Sequence, residues 1–275
     1  MPELPEVEVS RLGLLPHLPG RRVTDLVVRS PKLRYEIPGD LAASLTGRRI
    51  DAIVRRGKYL LFDCESSAAG GWLILHLGMS GSLRLVAPGA SAQKHDHFDL
   101  VFPQTVLRLR DPRRFGALLW HQGSDVERHF LLDRLGVEPL SSEFSGDWLF
   151  AETRRCSGPI KPLLMDSHFI VGIGNIYAAE SLFLAGISPL RAANRIGLAR
   201  CRVLASAIKA TLEAAIAAGG SSVRDYVHSD GGAGCFQLSC AVYDRVGDPC
   251  PRCQAPVRSL RQAGRSTFYC VACQK

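Results

Sequence analysis

The chain opens MPELPEVEVS, and the first six residues are of types that could do chemistry. A small second residue is the kind of position from which Met1 is trimmed. Trimming would leave the nitrogen of Pro2 as a free secondary amine, with a starting pKa of about 8 and an appreciable neutral fraction near neutrality. Such an amine is a nucleophile. Glu3 beside it can give up a proton and later take one back, provided its pKa is raised. Glu6 lies one helical turn on, where it could share that face and orient its neighbours. Acids also simply complement a helix N-terminus, which is a sufficient reading for Glu6 and Glu8. The far end carries a second cluster, Cys250 and Cys253 followed after sixteen residues by Cys270 and Cys273. Two C-x2-C pairs at this spacing present four thiolates to one tetrahedral zinc ion, and an all-cysteine set closes the site against catalysis.

These clusters need elements to position them. From Val23 to about Trp120 the apolar residues fall into short blocks, among them VTDLVVR, KYLLFD, WLILHLG, HFDLVF and FGALLW. Lengths near five or six, alternation and short turns predict antiparallel strands and a β-sandwich or flattened barrel. Ahead of them, Leu4, Val7, Leu12 and Leu15 mark a loosely helical stripe. Beyond residue 125 the period changes: Leu204, Ile208, Leu212 and Ile216 recur every four residues, with Gly219 and Gly220 as a stop. The stretch GVEPLSSEFSGD reads as a linker. The expected domains are a catalytic β-sandwich at 1–133, a linker at 134–150, a helical domain at 151–239 and a zinc finger at 240–275, an α+β chain.

Composition narrows the class of partner. With 275 residues and 46% hydrophobic content the chain can fill two cores. No apolar run approaches the roughly 18 residues of a membrane span, and no secretory signal is visible, so a cytoplasmic location is expected. The net charge of +8, carried mostly by arginine, leans toward a polyanion, since guanidinium pairs bidentately with phosphate. The other five cysteines are scattered and read as small core hydrophobes.

The segments MPELPEVE, KYLL, HLGMSGSL, KHDH, DPRRFG, IKPLLMD, VGIGNIYAAESLF and SDGGAGCFQ, with the terminal cysteine pairs ending FYCVACQK, together resemble bacterial formamidopyrimidine-DNA glycosylase, in the family's order and over almost the whole chain. The resemblance implies a bifunctional glycosylase and AP lyase that removes oxidised purines such as 8-oxoguanine from duplex DNA. Its fold would join a β-sandwich to a helix-two-turn-helix module and a β-hairpin zinc finger. It assigns Pro2 as nucleophile, Glu3 as proton shuttle, Lys58 as a catalytic or phosphate-holding lysine and Arg265, the finger arginine, as a further catalytic residue. It further assigns His95, Lys161 and Asn175 to the DNA backbone. The flipped-out nucleotide leaves a gap, and Met79, Phe115 and Arg113 would fill it, with Arg113 hydrogen-bonding the orphaned base. Asn175 is read as the cap of a helix entered through Gly172 and Gly174. The implied cofactor is one structural zinc ion, and the implied partner is damaged double-stranded DNA, bound by a monomer.

Two positions depart from the family pattern. Cys235 stands where an aromatic residue is expected in a lesion-covering loop, and Asp244 stands in place of a glycine. Two other readings stay open: a sister enzyme acting on oxidised pyrimidines, disfavoured by MPELPE and the Met79, Arg113, Phe115 set, and a non-enzymatic zinc-finger DNA binder, which leaves Pro2 and Glu3 unexplained.

Overall fold

A computed structural model describes residues 2–65, 70–221 and 240–275. The chain divides into two compact units, one of Met1–Asp133 with Ala218–Gln237, the other of Arg134–Ala217 with Leu238–Lys275.

The first unit begins with helix α1 (Leu4–Leu14), which has a proline in its first turn, where the missing N–H costs nothing. Leu4, Val7, Ser10 and Leu14 are buried, while Leu12 is 43% exposed. Leu12 lies two positions, or about 200° around the helix, from both Ser10 and Leu14, so the helix turns it outward and the expected stripe is corrected there. After β1 (Asp25–Val28) and the short α2 (Leu41–Leu45) come seven strands: β2 (Ile50–Arg56), β3 (Tyr59–Cys64), β4 (Gly71–His76), β5 (Ser82–Val86), β6 (Asp96–Val101), β7 (Val106–Arg110) and β8 (Ala117–Gln122). They form two antiparallel four-stranded sheets, ordered β1-β6-β7-β5 and β2-β3-β4-β8. Leu26, Phe98, Leu100, Leu107 and Leu109 of one sheet share a core with Ile53, Leu60, Phe62, Leu73, Leu75 and Leu118 of the other, joined by Val7 and Leu14 of α1. Two apolar faces closing on each other make the expected sandwich.

The second unit holds α3 (Gly146–Thr153), α4 (Ile160–Leu164), α5 (Asn175–Leu184) and α6 (Leu198–Ala217), then the hairpin β9 (Arg258–Gln262) and β10 (Arg265–Tyr269). Cys201, Leu204, Ile208, Leu212 and Ala215 give α6 its buried stripe, and Gly219 and Gly220 follow with positive φ. The segment expected as a linker is packed instead: Phe144 is buried, Ser145 caps α3 by accepting from the Trp148 amide (3.1 Å), and Val137 bridges to Ile170. Residues 218–221, expected with the helices, group with the first unit. The hairpin is no isolated bead. Ala179 and Phe183 of α5 share a cluster with Val242, Val257 and Phe268 of the finger. No helix among the described residues is long and apolar enough to cross a membrane.

Candidate active site and nucleic-acid interface

The N-terminal residues are organised around one carboxylate. Pro2 is buried, and Glu3 is 2% exposed with an extended backbone just ahead of α1. The Glu3 amide donates to Glu6 Oε2 at 2.7 Å, the backward half of a capping box. Glu6 Oε1 accepts from the Ser221 amide (2.7 Å) and the Ser221 hydroxyl (2.9 Å). A Cβ on Gly220 would lie 3.1 Å from Glu6 Oε1 at a φ of +79°, so glycine is what lets the chain come this close. Glu6 is therefore a fixed anchor for the residue that follows Pro2, and Ser221, which holds its other oxygen, carries no local sequence signal of this.

Lys58 sits in the turn between β2 and β3, half-buried. That turn is tied to α1 through Arg55, which donates to Glu8 (2.9 Å) and to the Gly57 carbonyl (3.1 Å). Burial alone would raise the Glu8 carboxyl, but its bonds and charge contacts with Arg11 and Arg55 outweigh this and hold it below the usual range. Near Lys58 lies His76, which the sequence reading passed over. Its Nδ1 accepts from the Gly78 amide (2.9 Å), and its ring lies 4.7 Å from that of Tyr59. Burial, then the charges of Lys58 and Arg34, lower its pKa to about 4, so it is a neutral acceptor at physiological pH.

Met79 lies half-buried in the turn after β4, and Arg113 and Phe115 project from the loop between β7 and β8, Phe115 being 44% exposed. The Arg113 guanidinium stands over the Phe115 ring, 4.9 Å from its centroid. Beneath them Ser80 donates to Asp111 Oδ1 (2.7 Å) and accepts from the Arg113 amide (3.1 Å), while Asp111 Oδ2 accepts from the Gly116 amide (2.8 Å). His95 is half-buried with φ +76°, and its carbonyl accepts from the Asp111 amide (3.0 Å). Partial desolvation, then Lys94 and Arg110, hold the His95 imidazole below its ordinary pKa. Met79, Arg113, Phe115 and His95 are thus brought together on one support.

In the second unit, Gly172 (φ +84°) makes the expected turn, but the residue at the cap of α5 is Gly174, and Asn175 is its first helical residue. The Asn175 side chain is engaged elsewhere, with its Oδ1 accepting from Lys161 Nζ at 2.6 Å. Lys161 also donates to the Ser266 carbonyl (3.2 Å) and to Thr267 Oγ1 (2.8 Å). At 1% exposure and bonded to these acceptors, it ties α4 to α5 and to β10. Arg265 opens β10, exposed like Arg258 and Arg261, after a tight turn in which Ala263 (φ +46°) and Gly264 (φ +76°) are left-handed. Asp244 takes φ +60°, a conformation glycine adopts freely and Asp tolerates, which accounts for the substitution noted there. Cys235 lies outside the described residues. Glu180 of α5 was also missed: its carboxylate accepts from the successive amides of Ala241 (2.7 Å), Val242 (3.0 Å) and Tyr243 (2.8 Å).

The four cysteines converge. Their sulfurs all lie within 4.8 Å of one another, with Cys250 to Cys273 at 3.9 Å and Cys253 to Cys270 at 3.5 Å. A tetrahedron with metal–sulfur bonds of about 2.3 Å has edges of about 3.8 Å, so the set fits zinc. The two knuckles repeat one backbone pattern, Gln254 N to Cys250 O (2.9 Å) and Gln274 N to Cys270 O (3.0 Å).

Family models match in three blocks: the formamidopyrimidine-DNA glycosylase N-terminal domain over residues 1–118, the H2TH domain of the same glycosylase over 135–227, and a zinc finger found in FPG and IleRS over 247–275. The formamidopyrimidine-DNA glycosylase of Dechloromonas aromatica is 60% identical over 276 residues, covering both chains completely. Two solved structures superpose over the full length of both chains at 34% identity. The Lactococcus lactis Fpg (MutM) bound to N7-benzyl-Fapy-dG DNA does so with a TM-score of 0.91, and MutM bound to carbocyclic 8-oxo-G DNA with one of 0.90. Three matching blocks that together span most of the chain, and a relative 60% identical over its full length, show that the chain belongs to the formamidopyrimidine-DNA glycosylase family.

Proposed function

We propose that this protein is a base-excision repair enzyme that removes oxidised purines, 8-oxoguanine and formamidopyrimidines, from duplex DNA and then cuts the strand at the resulting site as an AP lyase. The observation that carries the reading is the start of α1, where Pro2 and Glu3 are buried and Glu6 fixes the backbone between nucleophile and helix.

The reaction begins once Met1 is removed and Pro2 has a neutral secondary amine. Its lone pair attacks C1′ of the damaged nucleotide as the bond to the base breaks, and Glu3 protonates the ring oxygen so that the sugar opens. A secondary amine has no second proton to lose, so the adduct is a cationic iminium. That charge acidifies the C2′ proton, and loss of the proton expels the 3′ phosphate by β-elimination. A second, δ-elimination expels the 5′ phosphate, and water then frees the amine. Lys58, beside α1 through the Arg55 bridge, holds a phosphate or assists the elimination.

Met79 and Phe115 enter the gap left by the flipped nucleotide, and Arg113 pairs with the orphaned base, favouring cytosine. His95 and Asn175 grip the backbone, and Arg265 adds the finger's contact. Lys161 acts from behind, by orienting Asn175 and β10. Cys250, Cys253, Cys270 and Cys273 hold zinc, which supplies structure only. The enzyme acts as a monomer in the bacterial cytoplasm, with a catalytic sandwich at 1–133 followed by the helical and finger domains.

Borohydride reduction on a panel of duplexes carrying purine and pyrimidine lesions tests this. The expected result is a permanent cross-link on the purine lesions, mapping to the peptide that begins at Pro2. Attachment at Lys58, or preferential trapping on pyrimidine lesions, would replace the reading.

A further inference from the structure

The buried pair beneath the gap-filling residues has a role beyond that of each residue it supports. Ser80 is 2% exposed and Asp111 is wholly buried, so their hydrogen bonds form away from competing water. Three stretches of chain meet at this pair. The turn carrying Met79 supplies Ser80 itself. The loop carrying Arg113 and Phe115 is fastened at both ends, through the Arg113 amide on Ser80 and the Gly116 amide on Asp111. The stretch at His95 and His97 is fastened to the Asp111 backbone, by the Asp111 amide on the His95 carbonyl and by His97 Nε2 against the Asp111 carbonyl (2.9 Å). The two loops also touch along their backbones, since a Cβ on Gly78 would lie 2.3 Å from the Phe115 carbonyl carbon.

Ser80 is the only one of these groups that acts on both loops through a single atom. Its Oγ gives its one proton to Asp111 and takes the one from Arg113, so the angle at which Arg113 leaves the sheet is set relative to the turn that carries Met79. A wedge and a reader joined in this way enter the duplex in fixed register, and little ordering is left to be done on binding.

We propose that Ser80 is a positioning residue that sets opposite-base selectivity, acting through the Arg113 backbone. The proposal rests on the glycosylase reading above. Loss of the hydroxyl leaves the apolar wedge in place but lets Arg113 sample other directions, so that the bases it should discriminate are accepted more evenly.

The test compares kcat/KM on duplexes with 8-oxoguanine opposite cytosine and opposite adenine. In Ser80→Ala the cytosine preference should fall about three- to tenfold, the scale of one buried hydrogen bond. Cleavage of a single-stranded oligonucleotide bearing an abasic site, which has no opposite base, should be unchanged. Ser80→Cys keeps a similar shape but is a much weaker acceptor for the Arg113 amide and a weaker donor to Asp111, and should show the same fall, which covers the case in which the alanine variant does not fold. In an Arg113→Ala background neither change should alter the ratio further. An unchanged ratio in both variants overturns the proposal, and so does an equal loss on every substrate, which would mark a merely structural role. If the unsubstituted enzyme fails to excise 8-oxoguanine from either duplex, it is the glycosylase reading that falls.

Discussion

Glu6 in the first unit and Glu180 in the second each spend a buried carboxylate on backbone amides, with different results. Glu6 divides its oxygens between a neighbour and a remote piece of chain, the Glu3 amide on one side and Ser221 on the other. Glu180 gathers three successive amides of Ala241–Tyr243, as a helix N-terminus gathers a phosphate, and fixes where the chain enters the finger. The first arrangement orients a reactive end, and the second builds a scaffold. On the function proposed above, similar chemistry serves catalysis in one unit and binding in the other, and substitutions should separate the two.

The largest effect is expected at the reactive end itself. Glu3→Gln removes the proton shuttle and should lower base excision at least about 100-fold, the usual scale for general acid–base catalysis. Binding to lesion DNA and melting temperature should change little, as judged by titration of a fluorescent duplex and by calorimetry. Next come the two anchors. Glu6→Ala and Glu180→Ala should each cost about 2–4 kcal/mol of stability, because buried amides lose their acceptor. Glu6→Ala should also depress single-turnover excision, whereas Glu180→Ala should weaken DNA binding and leave the rate at saturating enzyme near normal. Equal losses of rate and affinity in both variants would erase the distinction. Zinc removal sharpens it further: because the finger shares a core with α5, chelation should reduce affinity for DNA and loosen α5, while the folded sandwich keeps its β-sheet circular dichroism.

The smallest effects concern acid. The His76 pKa is lowered from 6.5 to about 4 by burial, then by Lys58 and Arg34. The unfolded chain therefore takes up the proton first, and the stability this group contributes is complete above pH 6.5 and lost as the pH falls toward 4. Asp99 adds to the loss at lower pH. Burial by itself raises its carboxyl, but Arg108 (2.8 Å) and Arg29 (2.5 Å) hold it below the usual range, so its contribution is present above about pH 4 and disappears through the folded value. Denaturant titrations between pH 4 and 7 should show the His76 slope, and His76→Leu should flatten it.

How much of this was legible beforehand follows from distance along the chain. The zinc ligands were readable because each knuckle is four residues long and the pairs are separated only by a hairpin. The sandwich was readable because alternation is local, and the turn carrying Met79 because glycines stand close on both sides of it. What supports them was not, since Ser80 finds Asp111 31 residues away and Lys161 finds Thr267 106 residues away. Asn175 illustrates the limit: its type suits a helix cap, but a lysine from another helix takes its side chain and leaves the cap to Gly174. Leu12 illustrates another, since an apolar type does not reveal its angle around a helix.

The bond between Glu6 and Ser221 spans 215 residues. On a translating ribosome Glu6 emerges long before Ser221, the residue that completes its set of hydrogen bonds. A nascent chain that has folded its sandwich still lacks Ser221, so the Glu6 carboxylate gains its full set of donors only after α6 has been made.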